Sequence, residues 1–367
     1  MTILDIGGDP DPAADPVSVG MIGCGSHTYR NVLPTVQFTD LDLVACCDLD
    51  ASRAAAYADQ FGADRSYDDH RTMLAEEDLQ AVLVVLDYDD DGRPQYPPIA
   101  IDAMEAGCDV WIEKPPAASA DEIESMRAVE ETTGRFVQVG YKKCFTPAVE
   151  HVHRLTARAE FGSIESIVVR YPLAFPDRAS PGDSLSHGPD HVGLLDHLVH
   201  PGSILAYLGG PMDRCRLAPA RNGGGFLTVA FRSGSVGTIH MAAGSSGRSP
   251  LERVEVVGAG ANVVLENGVD VTYYPPGNRG QYGREPDFVK PDEPAAQTWR
   301  PEFSLGQLYN KNLFTLGYYT ELQQFASWCA AGAQPSKAGT AMSHELLALY
   351  EAVLAGGDGW IELESIR

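Results

Sequence analysis

The sequence predicts an α/β protein of two domains, a doubly wound parallel sheet followed by a mostly antiparallel half. Three observations predict it. The chain is 367 residues long, and at roughly 100–200 residues per domain that length fits two cores. From Pro16 to about Phe145, short β-branched runs alternate with longer amphipathic stretches, the pattern of βαβ units. After about Pro147 the rhythm changes to strand-like runs joined by Gly-rich turns.

In the first half, Val17–Ile22, Leu43–Cys47, Ala81–Leu86, Asp109–Ile112 and Arg135–Val139 read as strands, several apolar on both faces as buried parallel strands are. Between them Ala51–Phe61, Ile99–Ala106 and Ala120–Thr133 carry apolar residues at helical spacing, with Gly62, Gly107 and Gly134 where a C-terminal cap belongs. The second half opens with a helical stretch around 190–208. Strand-like runs follow at Phe226–Arg232, Ser235–Met241, Leu251–Val257, Ala261–Glu266 and Val269–Tyr274. Residues 275–300, rich in Pro, Gly and charge, read as a long loop before two closing helices at about 318–330 and 341–354. Residues 1–16 hold four aspartates and three prolines with no basic segment, so they read as a disordered acidic tail and not a signal peptide. The expected division is therefore the tail, a dinucleotide-binding domain over 17–145, and a substrate and oligomerisation domain over 146–367.

Charge narrows the function classes. With 51 acidic and 27 basic residues the net charge is −24, a field that repels phosphate backbones and anionic membranes. Nucleic-acid and membrane partners are not expected, and so acid a surface reads as strongly solvated, salt adaptation being one cause. The longest uninterrupted apolar run, Ala81–Leu86, falls far short of the roughly 20 residues a membrane span needs. Seven cysteines, an odd number without a C-x-x-C pair, form no disulfide framework, and the expected location is the cytoplasm.

Three motifs carry chemistry. In Gly23-Cys-Gly25-Ser-His-Thr28 a strand runs into a helix start through two glycines, which let backbone N–H groups approach a pyrophosphate at the helix's positive end. The third position is Thr28 where Gly or Ala is usual, a departure that could lengthen the turn. Asp48 closes the second strand near the offset of about 20 residues at which an acid meets the adenosine ribose. It repels a 2′-phosphate and favours NAD, although Arg53 close by leaves NADP as a second candidate. The second motif, Glu113-Lys114-Pro115-Pro116, places a charged pair at the end of a buried strand, the rim where open parallel sheets bind ligands. The prolines there stiffen the backbone and could hold a cis peptide. The third is Asp196 to His200, an acid and an imidazole four residues apart on one helix face, as a general base on an alcohol needs.

Two patterns invite other readings. Asp87-Tyr-Asp89-Asp-Asp91-Gly92 copies the first half of a calcium loop, but Pro98 stands where the bidentate Glu is required. His187, His191, His197 and His200 cluster in one stretch, yet no H-E-x-x-H or cysteine pair accompanies them, and His197 and His200 are expected on different faces. No metal is expected.

Taken in this order the motifs resemble the glucose-fructose oxidoreductase and inositol dehydrogenase family, written Gfo/Idh/MocA. The resemblance also covers Val139-Gly140-Tyr141, Glu321-Leu-x-x-Phe325 in a late helix, and the Gly359-Trp-Ile-Glu-Leu363 ending. It implies an N-terminal Rossmann domain and a C-terminal α/β domain with a large open, mainly antiparallel sheet whose free face builds a homodimer or homotetramer. A late helix is expected to pack back on the first domain.

By the same resemblance Lys114, Asp196 and His200 are the catalytic residues. Gly23, Gly25, Ser26, His27, Asp48 and Arg53 hold the cofactor's adenosine diphosphate part, with Leu86, Asp87, Glu113 and Lys114 near the nicotinamide and its ribose. Lys142, Tyr171, His191 and Tyr318 are candidate substrate residues. Two stretches depart from the family: Leu86-Asp87-Tyr88 with Tyr96 replaces Thr-Pro-Asn and a histidine, and Tyr141-Lys142-Lys143-Cys144-Phe145 replaces a stretch with Asn and two arginines. The implied function is hydride transfer between NAD and a secondary alcohol or ketone of a sugar, cyclitol or amino sugar. The alternatives are an NAD-dependent glycoside hydrolase with transient oxidation, an imine or enone reductase, and a non-catalytic dinucleotide and sugar sensor.

Overall fold

The structure, a computed structural model, describes residues 16–176, 191–221, 223–277, 295–301 and 311–363. The acidic tail up to residue 15 and His187 lie outside the described residues. The chain divides into two compact units, one of residues 1–142, 187–192 and 317–347, the other of 143–186, 193–316 and 348–367.

The first unit is a six-stranded parallel sheet: β1 (Val17–Ile22), β2 (Leu41–Cys47), β3 (Arg65–Tyr67), β4 (Ala81–Val84), β5 (Asp109–Ile112) and β6 (Val137–Val139), in the order β3-β2-β1-β4-β5-β6. The order reverses beside β1 and β4, the switch point where such sheets open a crevice at their C-terminal ends. Strands β4 and β5 are buried at every position, which is why their sequences read as unbroken apolar runs. The helices are α1 (Leu33–Val36, continuing a π-helical turn Thr28–Val32), α2 (Ala51–Phe61), α3 (His70–Glu76), α4 (Tyr96–Glu105) and α5 (Ala120–Thr133). Asp50 caps α2 by accepting from the amides of Ser52 and Arg53, and Gly62 ends it in the left-handed region at φ 83°.

In the first unit the element types match the sequence reading, and boundaries move at four elements. Pro97 and Pro98 stand in the first turn of α4, where their missing N–H groups cost nothing, so the helix starts at Tyr96 and not Ile99. Strand β4 stops at Val84, β6 starts at Val137 and β2 starts at Leu41. The short polar strand β3 and helix α3 have no apolar period to betray them.

The second unit contains α6 (Pro147–Thr156), β7 (Ile164–Tyr171), α7 (Val192–Gly209), β8 (Met212–Pro219), β9 (Gly225–Phe231), β10 (Val236–Met241), β11 (Arg253–Gly258), β12 (Asn262–Glu266), β13 (Asp270–Tyr274), β14 (Gln297–Trp299), α8 (Lys311–Thr315) and β15 (Ile361–Glu362). They build a nine-stranded sheet, β14-β13-β12-β11-β7-β10-β9-β8-β15, antiparallel except where β7 and β10 run together. Alternating burial along β7, β9 and β11 marks one covered and one open face. Strand β14 corrects the reading of 275–300 as loop throughout; residues 278–294 are outside the described residues.

Two late helices, α9 (Tyr318–Ala331) and α10 (Thr340–Ala355), follow, and the division between the units falls within α10. Helix α9 lies in the first unit against β1 and α1. Its Leu322, Phe325 and Ala326, one face at i, i+3 and i+4, join the core of Val19, Leu43, Leu83 and Trp111. Phe325 meets Phe136 edge-on, with ring centres 5.8 Å apart.

Candidate active site

The cleft at the switch point measures about 820 Å³ and is lined by Gly23, Gly25, Ser26, His27, Asp48, Arg53, Leu86 and Asp87, all eight expected from the sequence. Gly23 sits at φ 92°, and a Cβ there would come 1.8 Å from the Val85 carbonyl oxygen, so only glycine fits. A Cβ on Gly25 would meet nothing within 4 Å, which leaves its backbone open to a ligand. Thr28 explains its own departure from the fingerprint: it is fully buried, and its hydroxyl donates to the Gly23 carbonyl at 2.7 Å, closing the turn as it enters the π-helical stretch. Tyr57 of α2 supports the same turn by donating to the Gly25 carbonyl at 3.0 Å.

Asp48 is fixed before any ligand arrives. One carboxylate oxygen accepts from the Cys24 amide at 2.8 Å and the other from the Asp50 amide at 2.9 Å. Arg53 stands 3.5 Å from Asp48 and 3.6 Å from Asp50, so two carboxylates hold its guanidinium. Asp50 itself is lowered below the ordinary carboxylate value by the Ser52 hydroxyl and the Arg53 amide. Asp50, Asp68, His70, Gln95 and Ile99 also line the cleft and were missed from sequence; only Asp50 left a signal, as a helix cap before Ala51. The Tyr96 hydroxyl donates to the Leu86 carbonyl at 3.0 Å, so this tyrosine braces the backbone beside the cleft. These residues fit a dinucleotide: an open glycine turn at a helix start and an acid at the far wall.

Glu113 and Lys114 lie just beyond β5, and the Lys114–Pro115 peptide bond is cis. Glu113 accepts from the Lys114 amide at 2.9 Å and pairs with His27 at 2.8 Å. Burial raises the Glu113 carboxyl, but His27 and Lys114 outweigh it and hold the group below the usual carboxylate value. Tyr318 and Lys142 come together in this unit, with Lys142 Nζ donating to the Tyr318 hydroxyl at 2.7 Å. Burial first, then Glu113 and Glu321, push the Tyr318 phenol well above its ordinary value. Glu321, one turn further along α9, is fully buried, and neither carboxylate oxygen is hydrogen-bonded among the described residues. Burial and Glu113 raise it well above the ordinary value against the pull of Lys142 and Lys337.

The second unit holds Asp196 and His200 on α7. Pro201 follows inside the helix and removes one i→i−4 hydrogen bond, the one to the His197 carbonyl. His200 is 9% exposed, its ring 6.1 Å from Tyr171 and 6.5 Å from His197. The two histidines therefore meet edge to face, a correction to the expectation of separate helix faces; a three-residue step brings them within reach. Asp196 lies 3.6 Å from His197 Nδ1, which also contacts the Gly193 carbonyl at 2.8 Å. Lys143, named in the sequence only within the departure at Tyr141–Phe145, pairs with Glu252 at 2.6 Å and stands 5.6 Å from the Tyr171 ring centre. Burial, with Glu252 and Asp196, raises the Tyr171 phenol. His191 is half-buried at the entry to α7.

No group of three or more metal-binding side chains occurs among the described residues. In the calcium-like stretch, Asp89 spends a carboxylate oxygen on the amides of Asp91 and Arg93, closing a protein turn.

The first unit is a nucleotide-binding Rossmann domain by topology and by the build of its cleft. Residues 17–141 match the GFO_IDH_MocA family, described as an oxidoreductase family with an NAD-binding Rossmann fold. It is similar to the D-xylose 1-dehydrogenase (NADP(+)) 2 of Haloferax volcanii, 28% identical over 174 residues covering 47% of this chain and 51% of that one. The inositol 2-dehydrogenase of Salmonella typhimurium is 26% identical over 194 residues, 52% and 53% of the two chains. The chain spans about half the length of the curated relatives it matches. Among solved structures, levoglucosan dehydrogenase in complex with NADH shares the fold with a TM-score of 0.74 at 19% identity, over 96% of this chain and 100% of that one. A dehydrogenase from Chromobacterium violaceum aligns with a TM-score of 0.73 at 22% identity, over 92% and 93%. Among the described residues no helix is long and apolar enough to cross a membrane.

Proposed function

We propose that the protein is a dehydrogenase that uses NAD to oxidise a secondary alcohol on a sugar, cyclitol or amino sugar. The observation that carries this reading is the cleft with Gly23, Gly25 and Asp48 in the unit that also presents Lys114 beyond β5. Bound NAD supplies the hydride acceptor. In the oxidation direction His200 takes the hydroxyl proton, Asp196 steadies the imidazolium, and Lys114 donates a hydrogen bond to the oxygen where negative charge grows. Lys142, Tyr171, His191 and Tyr318 are assigned to the substrate side. Tyr318, 2% exposed, acts through Lys142 and does not itself face a ligand.

Similarity to a relative named for NADP keeps that cofactor in view, but Asp48 and the capture of Arg53 between two carboxylates favour NAD. The open face of the nine-stranded sheet exposes Val168, Phe226 and Val236 on neighbouring strands, which supports a homodimer or homotetramer built there. Seven free cysteines suit the reducing cytoplasm.

The test is to add NAD with D-xylose, myo-inositol, aminosugars and sugar phosphates to the purified protein and follow reduced cofactor by absorbance. Net NADH with a neutral or amino polyol supports the proposal. Tightly held cofactor with no net reduction on any alcohol would replace it with the transient-oxidation hydrolase, and preference for a sugar phosphate would refute the amino-sugar branch.

A further inference from the structure

One buried carboxylate in the first unit gathers residues from four distant stretches of chain. Glu113 is 4% exposed, and its Oε2 accepts the Lys114 backbone amide at 2.9 Å. Its Oε1 lies 2.8 Å from Nε2 of His27. The other ring nitrogen, Nδ1, is 3.4 Å from the Asn31 side-chain amide, an arrangement that suits a proton on Nε2 donated to Glu113. The Tyr318 hydroxyl stands 3.5 Å from the same Nε2 and accepts from Lys142 at 2.7 Å. The array therefore runs from Lys142 through Tyr318 and His27 to Glu113 and the Lys114 amide. At one point it is open to the cleft: the His27 side chain is 36% exposed and borders the glycine turn.

We propose that His27 is a positioning residue that couples occupancy of the dinucleotide cleft to the placement of Lys114, acting through Glu113. A ligand lying on the exposed side of His27 displaces water from it, and the bond from Nε2–H to Glu113 strengthens as the local dielectric falls. A firmer Glu113 holds the Lys114 amide more tightly. Without the imidazole, Oε1 keeps its burial and loses its charge-assisted partner, so the carboxylate has no single favoured orientation and Lys114 loosens with it. The catalytic part of this inference rests on the dinucleotide reading of the cleft; the link from His27 to the Lys114 backbone does not.

Amide hydrogen exchange at Lys114, resolved by NMR on the full chain, tests both parts. In the absence of cofactor, H27A is expected to exchange this amide about tenfold faster than the wild type. The Glu113 amide, donated to the Val84 carbonyl at 3.0 Å, keeps its rate and serves as the internal control. H27Q, whose longer amide can reach Glu113, restores part of the protection and carries the comparison if H27A folds poorly. Saturating NAD is expected to slow Lys114 exchange several-fold in the wild type and not in H27A. Equal protection of Lys114 in wild type, H27A and H27Q without NAD would overturn the positioning role, and an NAD-induced slowing as large in H27A as in the wild type would overturn the coupling. If calorimetry finds no NAD binding to the wild type, the coupling falls together with the dinucleotide reading, while the cofactor-free comparison still decides whether His27 positions Lys114.

Discussion

The two units place their chemistry by different means. In the first, the cleft forms where strands end and helices begin, and its decisive features are backbone ones: the φ of 92° at Gly23, the open Gly25 and the Cys24 amide aimed at Asp48. In the second, the candidate groups are side chains on one helix and one sheet, Asp196 and His200 on α7 with Tyr171 on β7 and Lys143 beside it. Backbone-made sites demand glycines and acids at fixed spacing, whereas side-chain-made sites accept many residue types at one place. The family match stops at residue 141, and the curated relatives align over about half of the chain.

The largest effects are expected from one candidate residue in each unit. K114A and H200A are each expected to lower turnover by about 10²–10⁴ while the NAD dissociation constant changes little, as expected for groups acting on the alcohol. Initial rates beside calorimetric NAD titration separate the two quantities. Unchanged turnover in H200A with loss in K114A would confine the chemistry to the first unit.

Next in size is G23A, which attacks the backbone-made site alone. The added Cβ would lie 1.8 Å from the Val85 oxygen at a φ of 92°, so the turn must open or the strand end must shift. A loss of about 1–3 kcal/mol in stability is expected from the backbone strain, together with loss of NAD binding. Thermal melting and NAD titration check it, and normal NAD affinity in a folded G23A would remove the glycine turn from the cofactor site.

D48S is a smaller change in the same cleft. It removes the acid that accepts from Cys24 and Asp50 and leaves Arg53 with Asp50 as its remaining carboxylate. NAD affinity is expected to fall about tenfold and the NADP to NAD preference to move toward NADP, since the acid that would accept from the ribose hydroxyls is lost together with the charge that repels a 2′-phosphate. Titrations with both cofactors measure it; an unchanged ratio would place the ribose elsewhere.

How much was legible follows the same division. The strands and helices of the first unit stood out because buried parallel strands are continuously apolar and α2 and α5 end on left-handed glycines. What escaped notice there was polar and local: β3, α3, and the residues Asp68, between them, and His70, at the start of α3, that line the cleft. In the second unit β7 and β8 were missed although both alternate in burial, β7 because apolar Ile164 and Val168 stand among Glu165, Ser166 and Arg170 on its less buried positions and blur the polar alternation, β8 carrying arginines on its open face. The link from His27 to Glu113 was illegible for a different reason. It joins residues 86 positions apart, and no local pattern records which imidazole meets which carboxylate.

A pH-dependent prediction concerns Glu321, a residue the sequence offered only as part of a late motif. Its carboxyl is buried beside Glu113 and raised well above its usual value, with Lys142 and Lys337 opposing. The sign follows from linkage: below the unfolded-state value of about 4.3 both states hold the proton and no stability is lost. As pH rises past that value the unfolded chain releases the proton and the folded chain keeps it, so stability falls by up to about 1.4 kcal/mol per pH unit until the folded-state group ionises. Glutamine keeps the size and removes the proton. E321Q is therefore expected to gain on the wild type as pH rises from 5 to 8 in denaturant melts. A gap that does not change with pH, or one that favours the wild type more at higher pH, would mean that Glu321 is ionised and paired with Lys142 and Lys337. In that case α9 is held to the first unit by charge, and the contrast between a backbone-made cleft and a side-chain-made second site would have to be redrawn.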